Sequence, residues 1–177
     1  MKLPSRGKAI GMLKELGMPD NIFRHTMQVN KIAVFIAEKM RGDGVKVNVD
    51  LVDRASLLHD IDKHLTLSNG RHGTEGKKML EEKGLPELAE FCVTHLYTRI
   101  LSSSFPSLEH EIVYYADKRV NHDKIVSLDE RFKYLRERYG KKPEILRWFD
   151  ECEPACRKLE RKLFEKAGIP PSLEELK

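Results

Sequence analysis

Apolar residues recur every three or four positions along most of this chain, which is the spacing of helices that bury one face. Glycine-containing breakers separate these stretches, for example Gly17, Arg41–Gly44, Gly84 and Gly140. The sequence shows no convincing alternation of apolar and polar residues and no internal repeat. The pattern therefore predicts an all-α protein of consecutive helices joined by short connections.

Several residues mark the predicted starts of individual helices. Residues suited to a capping or first position are Asn48, Thr74, Pro86, Ser107 and Ser127, the last of which can form a capping box with Glu130. The helix that starts after Asn48 leads directly to His59, and an apolar stripe that includes Val120 predicts a later helix. Polar turns are predicted at 68–70 and 102–106.

The chain has 177 residues, which is long enough for one domain with its own apolar core. We expect residues 1–140 to form the main helical body, and residues 141–177 to form a C-terminal helical extension packed on the same domain. A long helix is predicted from Pro143, with a bend or break near Pro154. The formal net charge of +4 suits an anionic small molecule and also weak contact with nucleic acid, so it does not decide between them.

No run of about 18 apolar residues occurs, and the N-terminus lacks the apolar segment of a signal peptide. The expectation is therefore a cytoplasmic protein that does not enter a membrane. The cysteines Cys92, Cys152 and Cys156 include no Cys-x-x-Cys pair. This spacing favours buried thiols, although Cys152 and Cys156 lie one helical turn apart and could share a metal ion.

Four predicted helices each direct a histidine or an acid toward an apolar face. His25, His59 and His95 share such faces, and Asp117 lies on another apolar stripe. A single buried histidine more often bonds to a carbonyl, and a single buried carboxylate more often pairs with a basic side chain. Convergence on a metal ion explains all four together, and Asp60, directly after His59, adds an adjacent ligand.

These residues resemble the signature of the HD-domain metal-dependent phosphohydrolases, which is H…HD…D. His25, the His59-Asp60 pair and Asp117 occur in that order, and the run from His59 to Lys63 resembles the family's H-D-x-x-K form. The resemblance covers about residues 23–120. It implies an all-α HD-domain helical bundle, here with an additional C-terminal helical extension.

Two further histidines make the chain similar to the branch of this family that binds two metal ions. His72 and His95 lie between the dyad and the last aspartate, and residues 72–76 resemble the family's His…Gly helix start. The implied ligands of the first ion are His25, His59, Asp60 and Asp117. Asp60 would bridge to a second ion held by His72 and His95.

Imidazole and carboxylate ligands without thiolate suit Fe, Mn, Co, Ni or Zn, and iron is the first expectation. The implied reaction is hydrolysis of a phosphoester or phosphoanhydride in a nucleotide-like substrate by a metal-bridged hydroxide. Asp60 and Lys63 are the expected catalytic residues. The expected contacts to substrate phosphate are Lys63, Arg99 and Arg119. Asp62 could orient a ligand histidine or face water.

The histidines at polar positions or helix ends, His64, His110 and His122, are predicted to have no ligand role. A similar ligand set occurs in small bacterial dinucleoside polyphosphate hydrolases of this family. Two alternatives stay open: a di-iron oxygenase of the HD fold, and a non-catalytic module that binds a nucleotide or RNA. Nucleic acid is disfavoured as a partner because basic residues are interspersed with acids. A homodimer is compatible with the sequence.

Overall fold

The computed structural model describes residues 3–66, 70–102 and 105–176. Over these ranges helices carry nearly all of the regular structure, which confirms the all-α prediction. Parts of two predicted turns, residues 68–69 and 103–104, lie outside the described residues. No helix in the described ranges combines the length and the apolar character that crossing a membrane requires.

The helices follow one another with short connections, as the sequence pattern predicts. They are α1 (Arg6–Glu15), α2 (Asp20–Gly42), α3 (Val49–Leu58), α4 (Lys63–Thr66), α5 (Thr74–Glu82), α6 (Pro86–Thr94), α7 (Leu108–Lys118), α8 (Leu128–Tyr139) and α9 (Pro143–Ala167). Two 3-10 turns are present at Tyr97–Leu101 and Glu174–Leu176.

One small hairpin was not predicted. Strands β1 (Val120–Asn121) and β2 (Lys124–Ile125) pair antiparallel, with Val120 opposite Ile125. Val120 was expected to continue the stripe of α7, but that helix ends at Lys118. Strands of two residues are too short to show alternation, so the sequence pattern could not reveal them.

Local capping chemistry explains several helix starts. The Asn48 side chain accepts a hydrogen bond from the backbone N–H of Leu51 at 3.0 Å, which confirms the predicted cap of α3. Ser127 and Glu130 form the predicted capping box of α8. Pro86 occupies the first position of α6, where its missing N–H costs nothing.

One predicted helix cap was wrong, and of the bend or break predicted near Pro154 the break does not occur. Thr74 does not cap α5, because Gly73 holds the capping position with a φ of 83°, a left-handed conformation that favours glycine. The long helix α9 does not break at Pro154. Its buried face continues on both sides of the proline, from Phe149 to Leu163, so packing keeps the helix intact.

Helix α2 runs through the centre of the molecule. Its apolar face, with Val29, Ile32, Ile36 and Met40, is fully buried and packs against α3, α7 and α9. Helices α5 and α6 pack against each other, and α6 contacts α3 and α7. This arrangement brings the C-terminal ends of α3, α6 and α7 together beside the first turns of α2.

Arg119 lies inside the C-terminal packing and does not reach a phosphate-binding position, so the predicted role is corrected. The residue is 2% exposed. Its guanidinium donates to the carbonyl of Val126 at 2.6 Å, to the carbonyl of Pro171 at 2.8 Å and to Glu160 at 3.2 Å. Arg119 therefore joins the hairpin and the C-terminal segment to the end of α7.

We predict that Arg119→Met lowers the free energy of unfolding by about 3 kcal/mol, because it leaves Glu160 and two carbonyls without their cation. Urea denaturation measures the change. Arg147→Met, at an exposed position of α9, is the matched control and should unfold like the wild type. An Arg119→Met variant that kept full stability but lost phosphate binding would contradict this assignment.

Candidate metal centre

Two histidines and two carboxylates, from helices α2 and α7 and from the C-terminal end of α3, form the first half of the cluster. The Asp117 Oδ1 atom lies 3.0 Å from His25 Nε2 and 3.9 Å from His59 Nε2. Asp60 Oδ2 lies 3.8 Å from His25 Nε2 and 3.5 Å from His59 Nε2. All four residues are buried, and their inner atoms lie within 4.8 Å of one another.

Asp60 also belongs to a second group, through its other carboxylate oxygen. Asp60 Oδ1 lies 3.1 Å from His72 Nε2 and 3.2 Å from His95 Nε2. The two imidazole nitrogens are themselves 3.2 Å apart. The six predicted ligands therefore converge in two groups that share Asp60, an arrangement compatible with a dinuclear metal site.

The outer nitrogen of each ligand histidine is held by an oxygen that accepts its proton. The pairs are His25 Nδ1 with the carbonyl of His122 at 2.9 Å, His59 Nδ1 with the carbonyl of Ser56 at 2.7 Å, His72 Nδ1 with Asp62 Oδ1 at 2.9 Å and His95 Nδ1 with the carbonyl of Phe91 at 3.0 Å. A carbonyl or carboxylate can only accept, so Nδ1 carries the proton. A ring that carries only this proton directs the lone pair of Nε2 into the cluster.

Two polar atoms inside the cluster are left unsatisfied. His59 Nε2 and Asp60 Oδ1 are buried and have no aligned hydrogen-bond partner in the part of the chain that the structure describes. Buried lone pairs that face one another without a donor are costly. Divalent cations, one in each group, would satisfy these two atoms, so the donor set fits metal ions.

Buried carboxylates supply the negative charge of the cluster. Burial alone raises the pKa of Asp60, but the charges of Lys63 and His59 outweigh it and hold this pKa well below its usual range. The pKa of Asp117 is lowered in the same way, where Lys118 is the main partner that opposes burial. Both carboxylates are therefore ionised and available to a cation.

His72 and His95 have opposite pKa shifts because they share Asp60. Burial lowers the pKa of His95 to about 4. Burial acts in the same direction on His72, but hydrogen bonds with Asp60 and Asp62 outweigh it and raise the pKa to about 9. One proton is thus retained on His72, and a metal ion bound by this trio would displace it.

Asp62 orients His72, one of the two roles that the sequence left open. Its Oδ1 accepts from His72, while Oδ2 accepts from the backbone N–H groups of Gly73 at 2.7 Å and Gly76 at 2.9 Å. A Cβ atom at Gly73 would lie 2.5 Å from the carbonyl oxygen of Cys92, and one at Gly76 would lie 3.1 Å from Asp62. The two glycines therefore let α5 start close against this carboxylate.

Lys118 supports both halves of the cluster, which sequence reasoning missed. Its ammonium donates to Asp117 Oδ2 at 2.6 Å and to the carbonyl of His95 at 2.7 Å. The side chain is 1% exposed and lies between the rings of Tyr97 and Tyr114, 4.0 and 4.5 Å from their centroids. A lysine in the last turn of a helix is ordinarily predicted to be exposed to solvent. Its position next to Asp117 was the one feature of the sequence that pointed to a buried role.

The predicted phosphate contacts lie in different places. Lys63 donates to Asp60 Oδ2 at 2.5 Å and lines a cleft that opens beside His25. The guanidinium of Arg99 lies 5.7 Å from the centroid of the Phe105 ring. Lys63 is therefore at the cluster, whereas a phosphate contact from Arg99 stays a prediction.

The three histidines predicted to have no ligand role do not belong to either ligand group among the described residues. His64 bonds to the carbonyl of Leu16. His110, expected in polar surroundings, is instead buried and stacks on Phe91 at 3.8 Å between centroids. His122 contributes its backbone carbonyl, which holds His25 in place.

Comparisons with known proteins agree with this geometry. A family model described as the HD domain matches residues 22–122. The chain is 32% identical over 154 residues to an uncharacterized protein of Methanocaldococcus jannaschii, which covers 79% of this chain and 90% of that protein. It is 28% identical over 153 residues to a tRNA (cytidine(56)-2'-O)-methyltransferase of Picrophilus torridus, which covers 79% of this chain but 42% of that protein. No solved structure matches the chain.

We predict that wild-type protein reconstituted with metal binds about two ions per chain, and that His72→Ala and His95→Ala each reduce this to about one. His59→Ala and Asp60→Ala should lose both ions, because each removes a buried ligand of the first group and Asp60 serves both. Elemental analysis measures the content, with His110→Ala as a buried histidine control that keeps both ions. A wild-type content that never exceeds one ion would contradict the dinuclear site.

We further predict that Asp62→Ala lowers affinity for one of the two ions by about 10–100-fold, because His72 loses the acceptor that orients it. Competition with a chelator measures the affinity of each ion separately. Asp50→Ala, at an exposed carboxylate in the first turn of α3, is the control. Equal affinities in wild type and Asp62→Ala would show that Asp62 has no role in metal binding.

Proposed function

Because the chain belongs to the HD-domain family, whose members are generally metal-dependent hydrolases, we propose that it hydrolyses a phosphoester or phosphoanhydride bond of a nucleotide-like small molecule. The observation that carries the proposal is Asp60, whose two oxygens each face a separate histidine group inside the protein. Two divalent ions are the proposed cofactors, with iron first and Mn, Ni, Co or Zn also compatible with the ligands.

Bound divalent ions would lower the pKa of water and neutralise phosphate charge, which are the requirements for attack on phosphorus. The protein's own contribution is to hold the ligand atoms in place before any ion arrives. His25, His59 and His95 are each fixed by a backbone carbonyl, and His72 is fixed by Asp62. Such anchoring limits the reorganisation that binding and reaction require.

Lys63 is the proposed contact to the reacting phosphate. Burial works against its charge, but Asp60 and Asp117 outweigh that effect and raise its pKa, so the side chain is an ammonium at neutral pH. It is 31% exposed and lines the cleft, while Asp60 is fully enclosed. The ammonium can therefore turn toward a substrate phosphate or a leaving oxygen without moving the backbone.

A second candidate function involves RNA, and the similarity to part of a tRNA methyltransferase supports it. In this reading the chain is a module that binds or processes RNA through the same acid and imidazole cluster. The distinguishing measurement is tRNA affinity as a function of salt, because phosphate contacts make such binding fall steeply with ionic strength. Tight, salt-dependent tRNA binding without turnover of small phosphate compounds would favour this candidate.

We predict that metal-reconstituted protein releases phosphate or a nucleotide from at least one member of a panel of mononucleotides, cyclic nucleotides and dinucleoside polyphosphates. Asp60→Ala should abolish this release. Lys63→Met should lower kcat by about 10²-fold while the metal content stays unchanged, because the lost cation acts on developing charge. Lys78→Met, at an exposed lysine of α5, is the matched control.

Three other outcomes of these assays would contradict the proposed hydrolysis or the role of Lys63. No release with any of the five metals would overturn the proposed hydrolysis. Oxygen consumption by the iron-loaded protein, without phosphate release, would favour the di-iron oxygenase of the HD fold. Full activity in Lys63→Met would remove this lysine from the reaction.

A further inference from the structure

A cleft of about 450 Å³ opens beside the metal-ligand cluster, and helix α8 forms one of its walls. His25 and Lys63 lie at its inner end, and the wall from α8 includes Arg131, Tyr134, Arg138 and Tyr139. The family match ends at residue 122, so α8 lies outside it. The volume is in the range of small-molecule sites.

Arg131 is an arginine whose charge is directed into this region without a carboxylate partner. Its guanidinium donates to the hydroxyl of Tyr97 at 3.0 Å and to the side-chain oxygen of Asn121. No carboxylate lies within ion-pair distance of Arg131 in the described ranges of the chain. Neutral oxygens therefore fix the guanidinium in place and leave its charge for an anion.

The charge of the cleft is positive overall. Arg24 is paired with Asp20 and Asp123, so it adds no free positive charge. Lys63, at the inner end, shares its charge with Asp60, whereas Arg131 has no carboxylate within ion-pair distance among the described residues, and Arg138 lies further along α8. A phosphate that enters the cleft would meet two cations next to the cluster.

The outer part of the same wall is aromatic. Tyr139 is 52% exposed, an unusual exposure for a large ring, and Tyr134 is half-buried with its ring against His122. The guanidinium of Arg138 lies over both tyrosine rings, 6.0 Å from the centroid of Tyr134 and 5.6 Å from that of Tyr139. Exposed rings backed by a guanidinium are suited to stacking with a planar base.

We propose that the α8 cleft is a nucleoside phosphate site, in which Arg131 and Lys63 bind the phosphate and Tyr139 stacks with the base. This assignment rests on the proposed hydrolysis for the placement of the phosphate next to Asp60. In this proposal, the preference of the cleft for a base comes from Tyr139 of α8. The cleft would therefore distinguish nucleotides from sugar phosphates, which lack an aromatic base to stack on Tyr139.

Binding of two non-hydrolysable probes tests the proposal without any need for turnover. The probes are the phosphonate analogues of adenosine 5'-phosphate and of ribose 5-phosphate, titrated calorimetrically into the metal-loaded full chain. We expect the adenosine probe to bind about tenfold more tightly, and Tyr139→Leu to remove most of that preference while ribose affinity stays the same. Arg131→Gln should weaken both probes by about tenfold.

Arg147→Gln, an exposed arginine on α9, is the matched control and should bind both probes like the wild type. Thermal unfolding and metal content identify any variant whose fold has changed, and Tyr139→Leu alters only an exposed side chain. Equal affinity of the wild type for the two probes would overturn the proposal, as would unchanged binding in Arg131→Gln.

The two proposals fail in different ways. The expected binding pattern without hydrolysis of any panel compound would leave the cleft as a nucleotide site and reject the hydrolase. Hydrolysis of panel compounds, combined with no preference for the adenosine probe, would support the hydrolase and reject the nucleoside phosphate site in the α8 cleft.

Discussion

The buried carboxylate of Asp60 is the constraint on which the site depends. An acid with no solvent exposure is stable only if cations and hydrogen-bond donors surround it. Here Lys63 approaches one oxygen from the cleft, and imidazole nitrogens from different helices face both oxygens. The packing of α3 and α7 on α2, and of α6 on α3 and α7, serves this geometry, because it brings the ends of α3, α6 and α7 to one point.

The ligand side chains are held by a layer of groups that do not themselves face the cluster. Backbone carbonyls hold three imidazoles, two of them from the last turns of α3 and α6 and one from the β1–β2 turn. Asp62 holds His72, and Lys118 holds both Asp117 and the carbonyl of His95. Lys118 is a buried lysine between two tyrosine rings, so its charge is supported by the carboxylate and by the aromatic faces. This layer explains how rings with inward lone pairs stay in place.

Helix starts and the ligand set were predictable because each depends on local sequence. Asn48, Ser127 and Pro86 act within one turn of their own helices. The predictions for His25, His59 and His95 followed from their positions on apolar faces, whereas the prediction for His72 came from the resemblance to the HD domain. The roles of the arginines were not predictable in this way. Arg119 is next to Lys118 in sequence but points into the C-terminal packing, whereas Arg131 reaches the cleft from a later helix.

The sequence alone determined the all-α class and most helix starts, because periodicity and capping are local. Its order of histidines and aspartates, which resembles the HD domain, predicted the six side chains that converge. The resemblance implied that Asp60 serves two histidine groups, and only the tertiary structure showed that its two oxygens face those groups and that His72 is the histidine bonded to Asp62. The tertiary structure alone also placed Lys118 in contact with Asp117 and placed Arg131 of α8 in the cleft next to the cluster. These facts depend on distances between residues far apart in the chain, and no local pattern encodes them.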